Sequence, residues 1–167
     1  MTKISPLPKF IVDRMYYRVA RVLRMLGYDT IIDPDFVDVN YILKGKKEGR
    51  ILVTRDEDLK RRAEKVGIKV VNIDAPTLEE RLVILSKKTD IKIDIQENVL
   101  ARCTLCNSEI DVVPKEEIIN QLKNGTKEKY DEFWKCKNTE CNQIYWQGSH
   151  WEKLLETIAK TNELLKK

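Results

Sequence analysis

The chain has 167 residues, enough for a domain of about 100 residues and a small satellite. Charged residues make up 35% with both signs mixed, and no run approaches the roughly 18 apolar residues of a membrane span, so a membrane protein of the helical kind is not expected. Net charge is +4: residues 1–90 hold 19 Lys/Arg against 14 Asp/Glu (+5), and the rest, 12 against 13, is near neutral, a mild bias that suits a polyanionic partner.

Residues 1–8 lack the long apolar core of a secretory signal, so a cytoplasmic protein, of cytosol or nucleus, is expected. Residues 9–12 are an apolar run ended by Asp13 and read as a buried strand. Met15, Val19, Val22, Leu23 and Leu26 then recur at helical spacing, with Gly27 as the stop. Residues 28–32 read as a second strand, broken by Pro34. Asp38 is the expected N-cap of a helix over residues 39–47, ended by Gly49. Residues 51–54 form a third strand closed by Arg55 and Asp56. A charged helix over 57–65 stops at Gly67, and residues 69–73 make a fourth strand. Pro76 and Thr77 open a helix running to about Ser86.

Strands alternating with helices at this spacing predict an α/β fold with a parallel sheet and flanking helices over residues 1–90. Residues 91–100 read as a linker or an added strand. A four-cysteine unit follows over residues 101–151, with a strand near Val112 and Val113 and a helix over 116–122. Residues 152–167 form a final helix, with Leu154, Leu155, Ile158 and Leu165 near one side.

In open α/β sheets ligands bind beyond the carboxyl ends of the strands. Asp13 and Asp56 stand at such ends, Asp38 can reach the same edge, and Asp58 lies one turn further. Two such charges ~4 Å apart repel by about 4 kcal/mol at an effective dielectric near 20. Raised pKa values or a divalent cation would offset this, and carboxylates suit Mg²⁺ or Mn²⁺. Aspartates after strands also serve as turn residues and helix caps, so both readings stand. No His or Cys lies in residues 1–90, which excludes a Cys/His nucleophile there. Arg14, Arg18, Arg21 and Arg24 follow one another at steps of four, three and three. They form either a phosphate-binding stripe beside Asp13 or a solvated face.

The four cysteines are Cys103-x₂-Cys106 and, after 29 residues, Cys136-x₄-Cys141. Thiols paired this way, where disulfides are disfavoured, fit a structural Zn²⁺ site; an iron–sulfur centre is the lesser competitor. Aromatic residues beyond the second pair can stack on bases or seal the ribbon, and packing is the expectation for Trp146. His150, the only histidine, reads as a structural residue, with catalysis a minor alternative.

Several stretches together resemble the Mut-seven C-terminal ribonuclease domain family, whose fold is PIN-like with a C-terminal zinc ribbon. They are Lys9-Phe10-Ile11-Val12-Asp13, the run from Arg18 to Thr30, the run from Glu48 to Asp56, Arg102-Cys103-x₂-Cys106-Asn107 and the run from Ile144 to Trp151. The resemblance implies a PIN-type, divalent-metal endoribonuclease that hydrolyses RNA phosphodiesters. It implies Asp13, Asp38 and Asp56 as Mg²⁺ or Mn²⁺ ligands and Asp58 as a further acidic position. Arg14, Arg18, Arg21 and Arg55 would hold the RNA backbone. A non-catalytic RNA-binding module on the same scaffold is the alternative. Two departures stand out. The second cysteine pair encloses four residues where two and a glycine are usual, and Tyr16 and Tyr17 replace smaller residues, which would narrow the cleft or stack on a base.

Overall fold

The computed structural model describes residues 6–95 and 101–167. A four-stranded parallel sheet is built from β1 (Phe10–Val12), β2 (Thr30–Ile31), β3 (Ile51–Val53) and β4 (Val70–Val71), in the order β2-β1-β3-β4. The linking helices are α1 (Tyr17–Met25), α2 (Asp38–Glu48) and α3 (Glu57–Lys65), and α4 (Leu78–Thr89) follows β4. A short 3₁₀ turn, Arg14–Tyr16, precedes α1.

Side chains on a strand alternate between faces, and the two faces of this sheet find different partners. Phe10, Val12, Val53 and Val71 pack with Val19 and Leu23 of α1 and Leu82 and Leu85 of α4. Ile11 and Leu52 face the other way, onto Tyr41 of α2 and Leu59 and Ala63 of α3. The result is a three-layered α/β/α unit, and burial on both faces explains why β1 is wholly apolar.

Helix boundaries follow local chemistry. Asp56 caps α3, its Oδ1 accepting the N–H groups of Asp58 and Leu59 at 2.9 Å. Thr77 and Glu80 form a reciprocal capping box at α4. Gly27 and Gly49 stop their helices at φ 97° and 64°, a region only glycine enters freely. Asp38 is not the expected cap: Val37 is, and Asn40 reaches back to its N–H at 2.8 Å, leaving Asp38 as the first helical residue. Strands β2 and β4 are shorter than expected. Each sits at a sheet edge with one partner, and the central strands are themselves only three residues long.

Beyond the sheet lies a second, antiparallel one of β5 (Ile110–Val113), β6 (Phe133–Cys136) and β7 (Ile144–Tyr145). Two short helices, α5 (Lys115–Ile118) and α6 (Asn124–Lys129), are inserted between β5 and β6, where one helix was expected. Val113, Ile118, Leu122 and Phe133 make a small core of their own, with Trp146 against it, as expected for that tryptophan. The last helix, α7 (Ser149–Leu165), starts three residues earlier than the sequence suggested. It lies on α4, and Leu154 and Ile158 join the main core together with Cys103, Ile110 and Trp134 of the ribbon. The hydrophobic core therefore runs without a break from the parallel sheet into the ribbon. Ile91 and Ile93, in the stretch expected as a linker or an added strand, are also buried in it; residues 96–100 of that stretch lie outside the described residues, as do residues 1–5. Among the described residues no helix is long and apolar enough to cross a membrane.

Candidate functional site

The strand order fixes where a site belongs. From β1 the chain moves outward to β2, then returns to build β3 and β4 on the other side. The carboxyl ends of β1 and β3 therefore flank the point where the topology reverses, and the two following crossovers diverge and leave a crevice there. Asp13 follows β1 and its N–H extends the β1–β3 ladder to Val53 O at 2.9 Å. The buried Thr54 follows β3. Its hydroxyl donates to Asp13 Oδ2 at 2.9 Å and accepts the Asp56 N–H at 3.1 Å. Asp13, Thr54 and Asp56 thus form one connected set across the crevice.

The other acidic residues stand around this set. Asp33 follows β2 and accepts the Asp35 N–H at 2.9 Å. Asp74, beyond β4, lies 4.0 Å from Arg55. Asp38 is paired with Arg62 at 3.0 Å, both about half exposed. Asp58 is exposed and paired with Arg61. Exposed pairs contribute roughly 0–1 kcal/mol, so Asp38 is readily available to another cation. Of the four sequence candidates, the structure links Asp13 with Asp56, and holds Asp38 and Asp58 on neighbouring cations of α3. Among the described residues the four cysteines are the only group of three or more His, Cys, Asp or Glu whose ligand atoms all lie within 4.8 Å, so no three of the carboxylates converge that tightly. Thr54 adds a hydrogen-bond donor to the Asp13 carboxylate and an acceptor for the Asp56 backbone. Sequence reading missed Thr54 and Asp74. Asp74 carried the same signal as Asp13 and Asp56, a carboxylate just beyond an apolar strand.

Tyr16 is buried under the Arg81 guanidinium, 5.3 Å from its ring centre, and so does not narrow the cleft. Burial first, then the Asp74 charge, pushes its hydroxyl pKa up. Tyr17 is exposed, with the Arg21 guanidinium 5.8 Å from its ring centre. Arg14 donates to Pro34 O at 3.2 Å, in the loop leading to α2. Arg18 is exposed on α1. Arg24 departs from the stripe altogether. It is buried, donating to Thr30 O at 2.9 Å and to Thr104 O at 2.7 Å. Burial lowers its pKa, against the nearby Tyr17 and cysteine groups.

The second site is the cysteine centre. Cys103 and Cys141 sulfurs lie 3.7 Å apart, and Cys106 and Cys136 sulfurs 3.4 Å. Tetrahedral Zn²⁺ with Zn–S bonds near 2.3 Å needs S···S separations of about 3.8 Å, so four thiolates here fit that ion closely. Both loops turn on an asparagine with positive φ, Asn107 at 69° and Asn142 at 53°. Asparagine tolerates this region by local hydrogen bonding, which lets the longer second loop turn without the usual glycine. The thiols do not share protons evenly. Burial raises Cys106, but donation from Ser108 and the neighbouring thiols brings it down to about 6. Burial, reinforced by Cys106 and Cys103, pushes Cys136 up to about 12. The Tyr145 hydroxyl backs the first pair, 3.1 Å from Cys103 Sγ, and accepts the Thr104 N–H at 2.9 Å.

This centre is fastened to the parallel sheet. Asn107 accepts the Thr30 N–H at 3.0 Å and donates to Asp29 at 2.7 Å, while Arg50 meets the same Asp29 carboxylate at 2.8 Å. Asp29 consequently has a lowered pKa: burial would raise it, and the bonds from Arg50 and Asn107 outweigh that.

Compared with known proteins, the chain matches the family model of the Mut7-C RNAse domain over residues 8–158. No curated protein matches it.

Proposed function

The chain belongs to the Mut7-C RNAse domain family, and on that premise we propose that it is a divalent-metal-dependent endoribonuclease of PIN type acting on RNA. The observation that carries this is the Asp13–Thr54–Asp56 set at the topological switch of a parallel sheet. Asp13 and Asp56 would hold Mg²⁺ or Mn²⁺, with Asp38 completing the group once Arg62 yields it. When bound, such an ion supplies positive charge at a phosphodiester and lowers the cost of deprotonating a water. The chain's own residues do the rest. Thr54 fixes the rotamer of Asp13 from a buried position. The α3 cap holds Asp56 through Oδ1, and no described residue bonds to its Oδ2, which leaves that oxygen for a cation. Arg18 and Arg55, both exposed, would contact phosphates, with Arg14, which bonds to Pro34 O, beside them. The four cysteines would hold Zn²⁺ in a structural role, closed to substrate because all four positions are filled by sulfur.

The test is cleavage of a labelled structured RNA by the full chain with Mn²⁺, against an EDTA control. Asp13→Asn and Asp56→Asn should each abolish cleavage while circular dichroism stays unchanged. RNA binding that weakens with salt, without cleavage under any divalent ion, would instead make the protein a binding module with an idle acidic edge.

A further inference from the structure

A cavity of about 310 Å³ lies where α1, the first cysteine loop and the start of α7 meet. Its walls include Arg21, Leu105, Trp146, His150 and Trp151. None of the acidic residues and none of the four cysteines lines it, although Thr104 and Tyr145, which back the first cysteine pair, do. It continues into a shallower recess of about 230 Å³, which shares Arg21 and His150 and adds Arg18 and Lys153. Arg18 sits on the first turn of α1, five residues past Asp13, so the recess reaches the end of α1 that follows β1. From Arg18 to Met25, which lines both spaces, the helix advances about 10 Å, a span of a few nucleotides.

The chemistry of the two spaces differs along this path. The recess presents the cations Arg18, Arg21 and Lys153, which suit a sugar-phosphate backbone. The cavity is lined mainly by apolar and aromatic surface, with a few polar groups at its rim, which suits a flat heterocycle. Arg21 stands between them, and its buried Nε has no hydrogen-bond partner among the described residues. A buried donor of that kind is costly unless something accepts from it. Gly148 matters to the shape: a Cβ there would come within 2.8 Å of Trp146 Nε1, so the indole can lie against this backbone only because the side chain is absent.

We infer that the cavity is a nucleobase pocket, holding one unpaired base of an RNA strand whose backbone crosses Arg18, Lys153 and Arg21 on its way to the acidic edge. The inference rests on RNA being the ligand, as proposed above, and adds the element that makes recognition single-strand-selective: a duplex cannot release a base into the cavity. Trp151 forms the stacking wall, Arg21 donates to the flanking phosphate or to the base edge, and Trp146 closes the far side while anchored to the ribbon core.

Binding of a fluorescein-labelled hexauridylate and hexaadenylate to the full-length zinc-loaded chain, in EDTA-free buffer with Ca²⁺ and no Mg²⁺ or Mn²⁺, tests this apart from catalysis. Tryptophan emission should be quenched on binding. Trp151→Leu should weaken affinity about five- to 150-fold, the range of one base–aromatic stack, and Trp151→Phe should restore most of it. His150→Ala, at an exposed position, controls for folding and should weaken binding without changing the circular dichroism. A duplex of the same length, or an abasic oligomer, should bind no better than the Trp151→Leu variant binds hexauridylate. Equal affinity for duplex and single strand, or unchanged affinity in both Trp151→Leu and His150→Ala, overturns the pocket. Cleavage in Mn²⁺, measured in parallel, separates the two claims: wild-type cleavage with an indifferent cavity refutes the pocket alone, and selective base binding without cleavage refutes the nuclease alone.

Discussion

Replacing Arg24 tests the central structural claim, that this arginine is a bolt between three elements and takes no part in RNA contact. Arg24→Met keeps the length of the apolar stem and removes the guanidinium. Two carbonyls, Thr30 O and Thr104 O, then lose their donor inside the protein. Hydrogen bonds from a charged donor contribute about 1.5–3 kcal/mol each, which sets an upper figure of ~3–6 kcal/mol. The guanidinium also carried a desolvation cost, which the methionine does not, and this offsets part of the loss. A net destabilisation of about 2–4 kcal/mol is expected, or a fall in Tm of roughly 4–16 °C for a chain of this size. Urea and thermal unfolding followed by circular dichroism measure it, with zinc content determined on the same samples. Arg18→Gln is the contrasting variant. It is exposed, so stability should stay within about 0.5 kcal/mol, while RNA affinity falls and the salt dependence of binding shrinks by about one phosphate contact. A stable Arg24→Met protein with impaired RNA binding would refute the assignment, because it would return Arg24 to the substrate face.

Two further outcomes follow from the same geometry. Stripping zinc with a strong chelator should unfold the ribbon, since metal binding at such a centre contributes ~10–16 kcal/mol of apparent free energy; Cys136→Ser should do the same, and the loss of the near-ultraviolet signal of Trp134 and Trp146 reports it. Asp29→Asn should matter at neutral pH and cease to matter in acid. The folded-state pKa of Asp29 is lowered, so its stabilisation is present above the unfolded value near 3.9 and is lost as pH falls through the folded one. The difference in urea midpoint between wild type and Asp29→Asn should therefore narrow from about pH 5 downward, zinc release affecting both proteins alike. A gap that shows no narrowing as the pH falls below the ordinary carboxylate range would contradict the Asp29–Arg50–Asn107 linkage.

Much of this was legible in the chain. Residues 9–12 and 51–54, each with three successive apolar residues and followed by a charged one, mark the two central strands of a parallel sheet, because strands buried on both faces cannot alternate with polar residues. The x₂ and x₄ cysteine spacings specify a closed thiolate set, since each loop is just long enough to aim two sulfurs at one point. Asp13 and Asp56 were legible for the same reason, standing one and three residues past their strands. What was not legible depended on contacts between distant segments. Nothing local tells that Thr54 bonds to a carboxylate 41 residues away, or that Asp38 pairs with Arg62 of α3. The continuity of the core from α4 through α7 into the ribbon likewise arises from apolar positions on separate elements, which a boundary drawn from composition treats as independent.

Helix α1 shows why spacing alone misassigned one arginine. A residue advances about 100° around a helix of 3.6 residues per turn, so a step of three falls short of a full turn by about 60°. From Arg18 to Arg21 to Arg24 two such steps accumulate about 120°, enough to carry a side chain from the solvent face to the core. The observed surroundings follow that rotation: Arg18 is exposed, Arg21 is half-buried at the rim of the cavity, and Arg24 is enclosed. A stripe that held four positions on one face would need steps of four and three in alternation. The sequence instead winds its cations inward, so that a single helix gives one arginine to the open recess, one to the aromatic pocket and one to the joint that holds the zinc loop against β2.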